Sequence, residues 1–167
     1  MSGKPLRYSP YSSPIGEILM ARSGLGLTDI GLREAREGFV ERLSLRSGIA
    51  PVEDDKGFKR LFGLFTRYFG GAPVTFDVPL DLDGTGFEMA VWKALAEIPW
   101  GGVRSYGWVA SRIGSPKAGR AVGGACGANP VPIVIPCHRV VGVSNIGGYT
   151  GGLDVKRFLL KLEGVEP

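Results

Sequence analysis

Cys137, His138 and Arg139 are consecutive, and His138 is the single histidine of a 167-residue chain that has only two cysteines. A thiolate is a strong side-chain nucleophile, and an unperturbed thiol is only a few per cent ionised at neutral pH. A base or positive charge nearby brings a thiol pKa from about 8.5 into a range of roughly 3.5–7.5. The preceding run, Pro132-Ile133-Val134-Ile135-Pro136, is apolar and ends on a stiffening proline, which suits a sulfur carried inward. A free cysteine is equally at home in a core as a small hydrophobe, and neighbours on a strand point to opposite faces. A bend after Pro136 is therefore needed to bring thiol and imidazole to one site. On chemistry alone Cys137 is a candidate nucleophile, and buried filler is the competing reading.

The composition narrows the classes. Hydrophobic residues make up 44% of the chain and charged residues 22%, as in ordinary globular proteins. At 167 residues the chain makes one domain or two small ones. Met1–Pro5 lacks the apolar core of a signal peptide, and no apolar run approaches membrane-spanning length, so no membrane partner is expected. One histidine and two cysteines are too few soft ligands for a zinc site, so no metal is expected, and the cysteines are expected to be reduced. Residues 1–85 carry 11 basic and 11 acidic side chains; residues 86–167 carry 9 and 5, which accounts for the whole net charge of +4. Between Glu97 and Asp154 there is no carboxylate, yet Arg104, Arg112, Lys117, Arg120 and Arg139 are present. An acid-free basic stretch is what a surface approaching DNA phosphates needs, since each carboxylate there would repel them.

The elements that must position the thiol follow from periodicity. Residues 14–21 and 27–32 read as strands joined by a turn at Ser23-Gly24-Leu25-Gly26. Helices are predicted over about 34–46 and 57–69, the second with an apolar stripe of Phe58, Leu61, Phe62, Phe65 and Phe69. That stripe reads as core packing rather than a ligand pocket. Residues 74–82 are extended and read as an interdomain linker, giving domains 1–82 and 83–167. Thr85 and Glu88 form a capping box for a helix presenting Phe87, Val91, Ala94, Leu95 and Ile98 on one face. From Ser105 the pattern is helix 106–113, a turn at Gly114-Ser115, and a second helix from Lys117 to about Gly127, with Ser115 as cap and Pro116 at the first helical position. This is helix-turn-helix spacing. The second helix is made of small residues, although glycine costs roughly 1 kcal/mol against alanine there; close approach to a groove wall or to a neighbouring helix would compensate.

Pro136-Cys137-His138-Arg139-Val140, with Arg120-Ala121-Val122-Gly123-Gly124, Asn129-Pro130-Val131-Pro132-Ile133 and Gly147-Gly148-Tyr149-Thr150-Gly151-Gly152-Leu153 in the same order, resembles the O6-alkylguanine-DNA alkyltransferases. The resemblance is strongest from Phe87 to Gly164. It implies an α/β + α fold: a small amino-terminal α/β domain, ribonuclease-H-like, then a mostly helical domain with a winged-helix-like helix-turn-helix. It implies a DNA-repair protein that flips O6-alkylguanine out of double-stranded DNA and moves the alkyl group irreversibly to Cys137, without a cofactor, one lesion per molecule; it admits O4-alkylthymine as a second lesion. It implies a cytoplasmic, DNA-associated monomer. Its catalytic residues map onto Cys137, His138 acting through a water, Glu163 orienting the imidazole, Asn129 tying the second helix to the active-site loop, and Tyr106 donating a proton to guanine N3. Base contacts map onto Tyr106, the Val140 carbonyl, Tyr149 and Thr150, and DNA contacts onto Ser105, Lys117, Arg120, Ala121 and Gly123, with Arg120 filling the space left by the flipped nucleotide. Arg139 is read as bridging the domains or bracing the loop. Lys156 is read as helix surface, with at most a substrate-side role, outside the catalytic set. Cys126 stands where relatives place a larger apolar residue, and Gly127 where some have arginine; neither the second thiol as nucleophile nor the amino-terminal zinc of some relatives carries over.

Other classes fit less well. A cysteine hydrolase would show a nucleophile motif that is not visible. A lesion-binding regulator of the alkyltransferase-like kind would lack Cys137, and a regulatory fusion would need modules for which 167 residues leave no room.

Overall fold

The computed structural model describes residues 5–167, so the first four residues of the Met1–Pro5 segment lie outside the described part. The chain forms two compact units, with the division between Leu82 and Asp83.

The first unit is built on strands β1 (Arg7–Ser13), β2 (Gly16–Arg22), β3 (Leu27–Leu32) and β4 (Val52–Glu53), in the order β3-β2-β1-β4. β1 and β2 are an antiparallel hairpin in register Arg7↔Arg22 to Ser13↔Gly16, so Pro14 and Ile15 form its turn rather than the start of a strand. β1 escapes sequence reading because Pro10 sits in its middle, and proline removes a ladder donor. It is tolerated because the other neighbour, β4, pairs β1 only at Arg7 and Tyr8. Helices α1 (Arg36–Ser47) and α2 (Lys59–Phe69) cover opposite faces. Leu19, Ala21, Phe39 and Leu43 form a core on the α1 side, whereas Tyr11 packs on Phe62 and Phe65 of α2. Coverage on both sides explains why β2 and β3 are buried along most of their length rather than in alternation. The α2 aromatics pack on one another, Phe65 also on Phe76, as core packing requires.

Residues 74–82 are not a free linker. Leu27 N–H donates to Pro79 O, and Asp81 N–H to Leu27 O, at 2.9 and 2.8 Å, so this segment lies along the β3 edge. Gly26 permits the approach: a Cβ there would stand 2.6 Å from Pro79 O.

The second unit contains α3 (Gly86–Ala96), β5 (Arg104–Ser105), α4 (Tyr106–Arg112), α5 (Gly119–Gly127), a 3₁₀ turn (Cys137–Arg139), β6 (Val140–Val141) and α6 (Leu153–Leu162). Thr85 and Glu88 make the reciprocal capping box of α3. Buried Trp92 on α3 donates its indole N–H to Ala125 O on α5 at 2.9 Å, which ties those two helices. Ser105 Oγ caps α4 by accepting from Trp108 N–H. Ser115 and Pro116 do not start α5. They and Lys117 belong to the turn, and the helix begins at Gly119 after Ala118, with no side-chain cap. Ala118 N–H instead bonds Ser115 O, closing that turn. Among the described residues no helix is long and apolar enough to cross a membrane.

Candidate active site and nucleic-acid interface

Three local devices bring the nucleophile into place. The apolar run before Cys137 is a tight turn, with Ile135 N–H donating to Val131 O at 2.9 Å. Buried Ile133 holds φ 74°, a left-handed value that a β-branched residue adopts only when its surroundings impose it. Asn129 staples this turn at both ends: its Oδ1 accepts from Val131 N–H at 3.0 Å and its amide donates to Ile135 O at 2.8 Å. The 3₁₀ turn then supplies the bend after Pro136. Finally β6 pairs in parallel with β5, Arg104 opposite Val140 and Ser105 opposite Val141, setting the segment after the thiol beside the start of α4.

Cys137, His138 and Arg139 are all buried, Cys137 with 7% of its surface exposed. His138 Nε2 lies 2.7 Å from Glu163 Oε1. Arg139 grips the same carboxylate through Nε and Nη2 at 2.8 and 2.9 Å, and its Nη1 donates to Ile98 O at 2.6 Å. Arg139 thus braces Glu163 inside the second unit. Burial alone would raise the Glu163 pKa, but hydrogen bonds from His138 and Arg139 bring it down to about 2. Burial pushes the His138 pKa below its ordinary value, so the imidazole is neutral near pH 7. An ionised carboxylate only accepts, so Nε2 of that neutral ring carries the proton and Nδ1 carries the lone pair. Nδ1 has no hydrogen-bond partner among the described residues. Burial likewise raises the Cys137 thiol above its ordinary pKa, while the Asn129 amide and the Lys156 ammonium pull the other way. The resting site holds a thiol, a neutral imidazole and a locked carboxylate.

Cys137 lines a cavity of about 310 Å³ with Tyr106, Gly123, Cys126, Gly127, Gly148, Tyr149 and Thr150. Tyr106, half-buried, has a backbone hydrogen bond at Gly148; burial raises its pKa. Gly147 must be glycine: its φ is 77°, and a Cβ would stand 2.6 Å from the Tyr106 hydroxyl. Thr150 is exposed, with its hydroxyl 3.4 Å from Gly127 O. The Val140 carbonyl accepts from Lys156 Nζ at 2.6 Å, which leaves one lone pair for another donor.

Lys156 is not on the helix surface. It is fully buried, with Nζ also donating to Gly148 O at 3.0 Å. Its position was legible in principle, because Lys156, Leu160 and Glu163 recur at four- and three-residue spacing on one face of the last helix.

On the outer face of α5, Arg120, Ala121, Gly124 and Gly127 are exposed, as are Lys117 in the turn and Ala128. Gly123 is half-buried; a Cβ there would meet only Tyr106, at 3.9 Å, and a Cβ at Gly124 or Gly127 would meet nothing within 4 Å. Packing inside the chain therefore does not require these glycines. Of the five basic residues in the acid-free stretch, Arg112 is paired with Glu97 and Arg139 with Glu163. Arg104 lies over the Trp108 ring at 5.2 Å. Arg120 and Lys117 have no acidic partner among the described residues. Nor, among those residues, do three His, Cys, Asp or Glu side chains gather as a metal site.

These features define a helix-turn-helix protein whose second helix forms one wall of a cavity ending on a cysteine. Residues 6–82 match the family described as 6-O-methylguanine DNA methyltransferase, ribonuclease-like domain, and residues 86–165 match 6-O-methylguanine DNA methyltransferase, DNA binding domain. The chain belongs to this family. It is 42% identical over 158 residues to the methylated-DNA–protein-cysteine methyltransferase of Methanosarcina acetivorans, covering 94% of this chain and 97% of that one. The crystal structure of the Mycobacterium tuberculosis OGT in complex with DNA is similar with a TM-score of 0.83 at 43% identity, covering 94% of this chain and 92% of that one. The O6-methylguanine-DNA methyltransferase from Pyrococcus kodakaraensis has a TM-score of 0.70 at 26% identity, covering 96% and 99%.

Proposed function

We propose that this protein repairs O6-alkylguanine in double-stranded DNA by transferring the alkyl group to Cys137 Sγ, once per molecule. The observation that carries the reading is the thiol at the cavity wall backed by a neutral imidazole whose Nε2–H is held by Glu163. In the transfer, Sγ bonds to the alkyl carbon as the bond from that carbon to O6 breaks, and the released electron pair passes into the guanine ring. The thiol proton goes through a water to His138 Nδ1, while Tyr106 gives its phenolic proton to N3. The proton lost from sulfur equals the proton gained by the departing guanine, so the phenol is restored by proton exchange. The product is a thioether, which no side chain of the site can cleave.

In this reading the lesion enters the cavity with its exocyclic amine toward the Val140 carbonyl and O6 toward Thr150 N–H, beside Tyr106 and Tyr149. Ser105, Lys117, Ala121 and Gly123 meet the DNA, and the small exposed face of α5 supports a close approach to the groove. Base flipping costs a few kcal/mol of stacking; Arg120 offers a guanidinium that stacks and hydrogen-bonds in the vacancy. The same reading makes residues 1–82 a scaffold, residues 83–167 the reactive part, and the protein a cytoplasmic monomer acting on DNA.

Incubation with duplex DNA containing O6-methylguanine should leave one methyl on the peptide holding Cys137. Turnover, or a methyl on another residue, overturns the mechanism. Cys137→Ala should retain DNA binding and lose transfer, whereas Arg120→Ala should transfer poorly from duplex DNA and normally from the free base.

A further inference from the structure

Lys156 is the only fully buried lysine among the described residues. Its two acceptors come from different parts of the site. Val140 follows the nucleophile turn, and Gly148 belongs to the cavity wall. One ammonium therefore fastens the glycine-rich wall to the strand that leaves Cys137. The charged and titratable groups around that sulfur are Tyr106 on α4, Cys126 on α5, His138 and Arg139 on its own turn, Lys156 on α6 and Glu163 at the end of α6. Arg139 is neutralised by two bonds to Glu163, and His138 is neutral. Lys156 has no carboxylate partner among the described residues; its bonds are to carbonyls, which orient a cation without cancelling its charge.

We propose that Lys156 is a positioning residue for the transfer: its ammonium holds the Val140 and Gly148 carbonyls in place and compensates the negative charge that forms on Cys137 Sγ as the thiol proton departs. This rests on the alkyl-transfer reading above. A buried cation is costly unless an opposite charge stands near it, and the thiolate is the anion that this site creates. The same coupling acts in both directions: Lys156 lowers the thiol pKa against burial, and the Cys137 and Cys126 thiols raise that of Lys156 against burial. The ammonium thus acts on the sulfur, on the carbonyl proposed for the guanine amine and on the wall of the cavity.

Two substitutions separate the charge from the clamp. Lys156→Gln keeps N–H donors for the carbonyls and removes the charge; Lys156→Arg keeps the charge. For each, the rate of Cys137 carbamidomethylation by iodoacetamide is followed against pH by peptide mass spectrometry, and single-turnover methyl transfer from O6-methylguanine duplex is followed in parallel. Tryptophan fluorescence checks folding. In Lys156→Gln both profiles should move up by about one pH unit, making reaction near pH 7 about tenfold slower and recoverable at higher pH. Lys156→Arg should keep the wild-type profile. Coincident profiles for wild type and Lys156→Gln overturn the proposal, as does an Arg variant shifted as far as the Gln variant. Absence of transfer by the wild type, with the iodoacetamide profile still shifted in Lys156→Gln, overturns the alkyl-transfer reading and leaves the effect of Lys156 on the thiol standing.

Discussion

Glu163 is 3% exposed and receives two hydrogen bonds from Arg139 while pairing with His138, so its charge is the counterweight of the site. Its pKa falls from 4.5 to about 2 on folding. Each pKa unit is worth about 1.4 kcal/mol, so the ionised carboxylate contributes about 3 kcal/mol. Breaking a buried ion pair by removing one partner costs about 3–5 kcal/mol, an independent route to the same size. Because the folded pKa lies below the unfolded one, this contribution is complete above about pH 4.5 and is lost as the pH falls through about 2. Glu163→Gln should therefore destabilise the second unit by about 3 kcal/mol at pH 7, with the gap to wild type narrowing by about 2 kcal/mol at pH 3. Trp92, Trp100 and Trp108, the only tryptophans, all lie in that unit, so urea unfolding followed by tryptophan fluorescence reports it alone. A gap that stays constant from pH 7 to pH 3 would refute the charge balance argued here. Transfer should slow too, because an amide can donate to Nε2 and turn the imidazole to the other tautomer.

Asn129→Ala leaves Val131 N–H and Ile135 C=O without their side-chain partner beside the strained Ile133, and should cost about 2–4 kcal/mol in urea unfolding. It also removes a hydrogen bond that lowers the Cys137 pKa, so the pH profile of iodoacetamide reaction should move upward. Gly147→Ala forces a left-handed alanine whose Cβ meets the Tyr106 hydroxyl; thermal melting should fall and transfer slow, and Tyr106→Phe in that background should restore part of the melting temperature.

Local signals were legible wherever short-range physics decides the outcome. The capping box of α3 needs only spacing and side-chain type, and the structure carries it as read; the α2 stripe is present too, with Tyr68, which the spacing left out, fully buried beside Leu61 and Phe65. Local signals misled where distant contacts override them. Pro10 argues against a strand, yet β1 forms because its proline lies beyond the short pairing with β4. Ser115 and Pro116 have helix-start chemistry, yet Ser115 O closes a turn with Ala118 and α5 starts later. The extended 74–82 segment has linker composition, yet it docks on β3 because Gly26 lets two backbones approach.

The chain's sequence alone determined its reactive inventory: one histidine, a cysteine beside it, an asparagine before the apolar turn, a glutamate at the end of the last helix, and the order of motifs that marks the family. Only the tertiary structure decided how the charges are shared. Arg139 is committed to Glu163, 24 residues away, and to Ile98, 41 away, while Lys156 is drawn inward to Val140 and Gly148. Helical periodicity says which face of a segment is buried, and Lys156 and Glu163 share such a face. It does not say which partner a buried charge will find, because that depends on where remote segments of the chain come to rest.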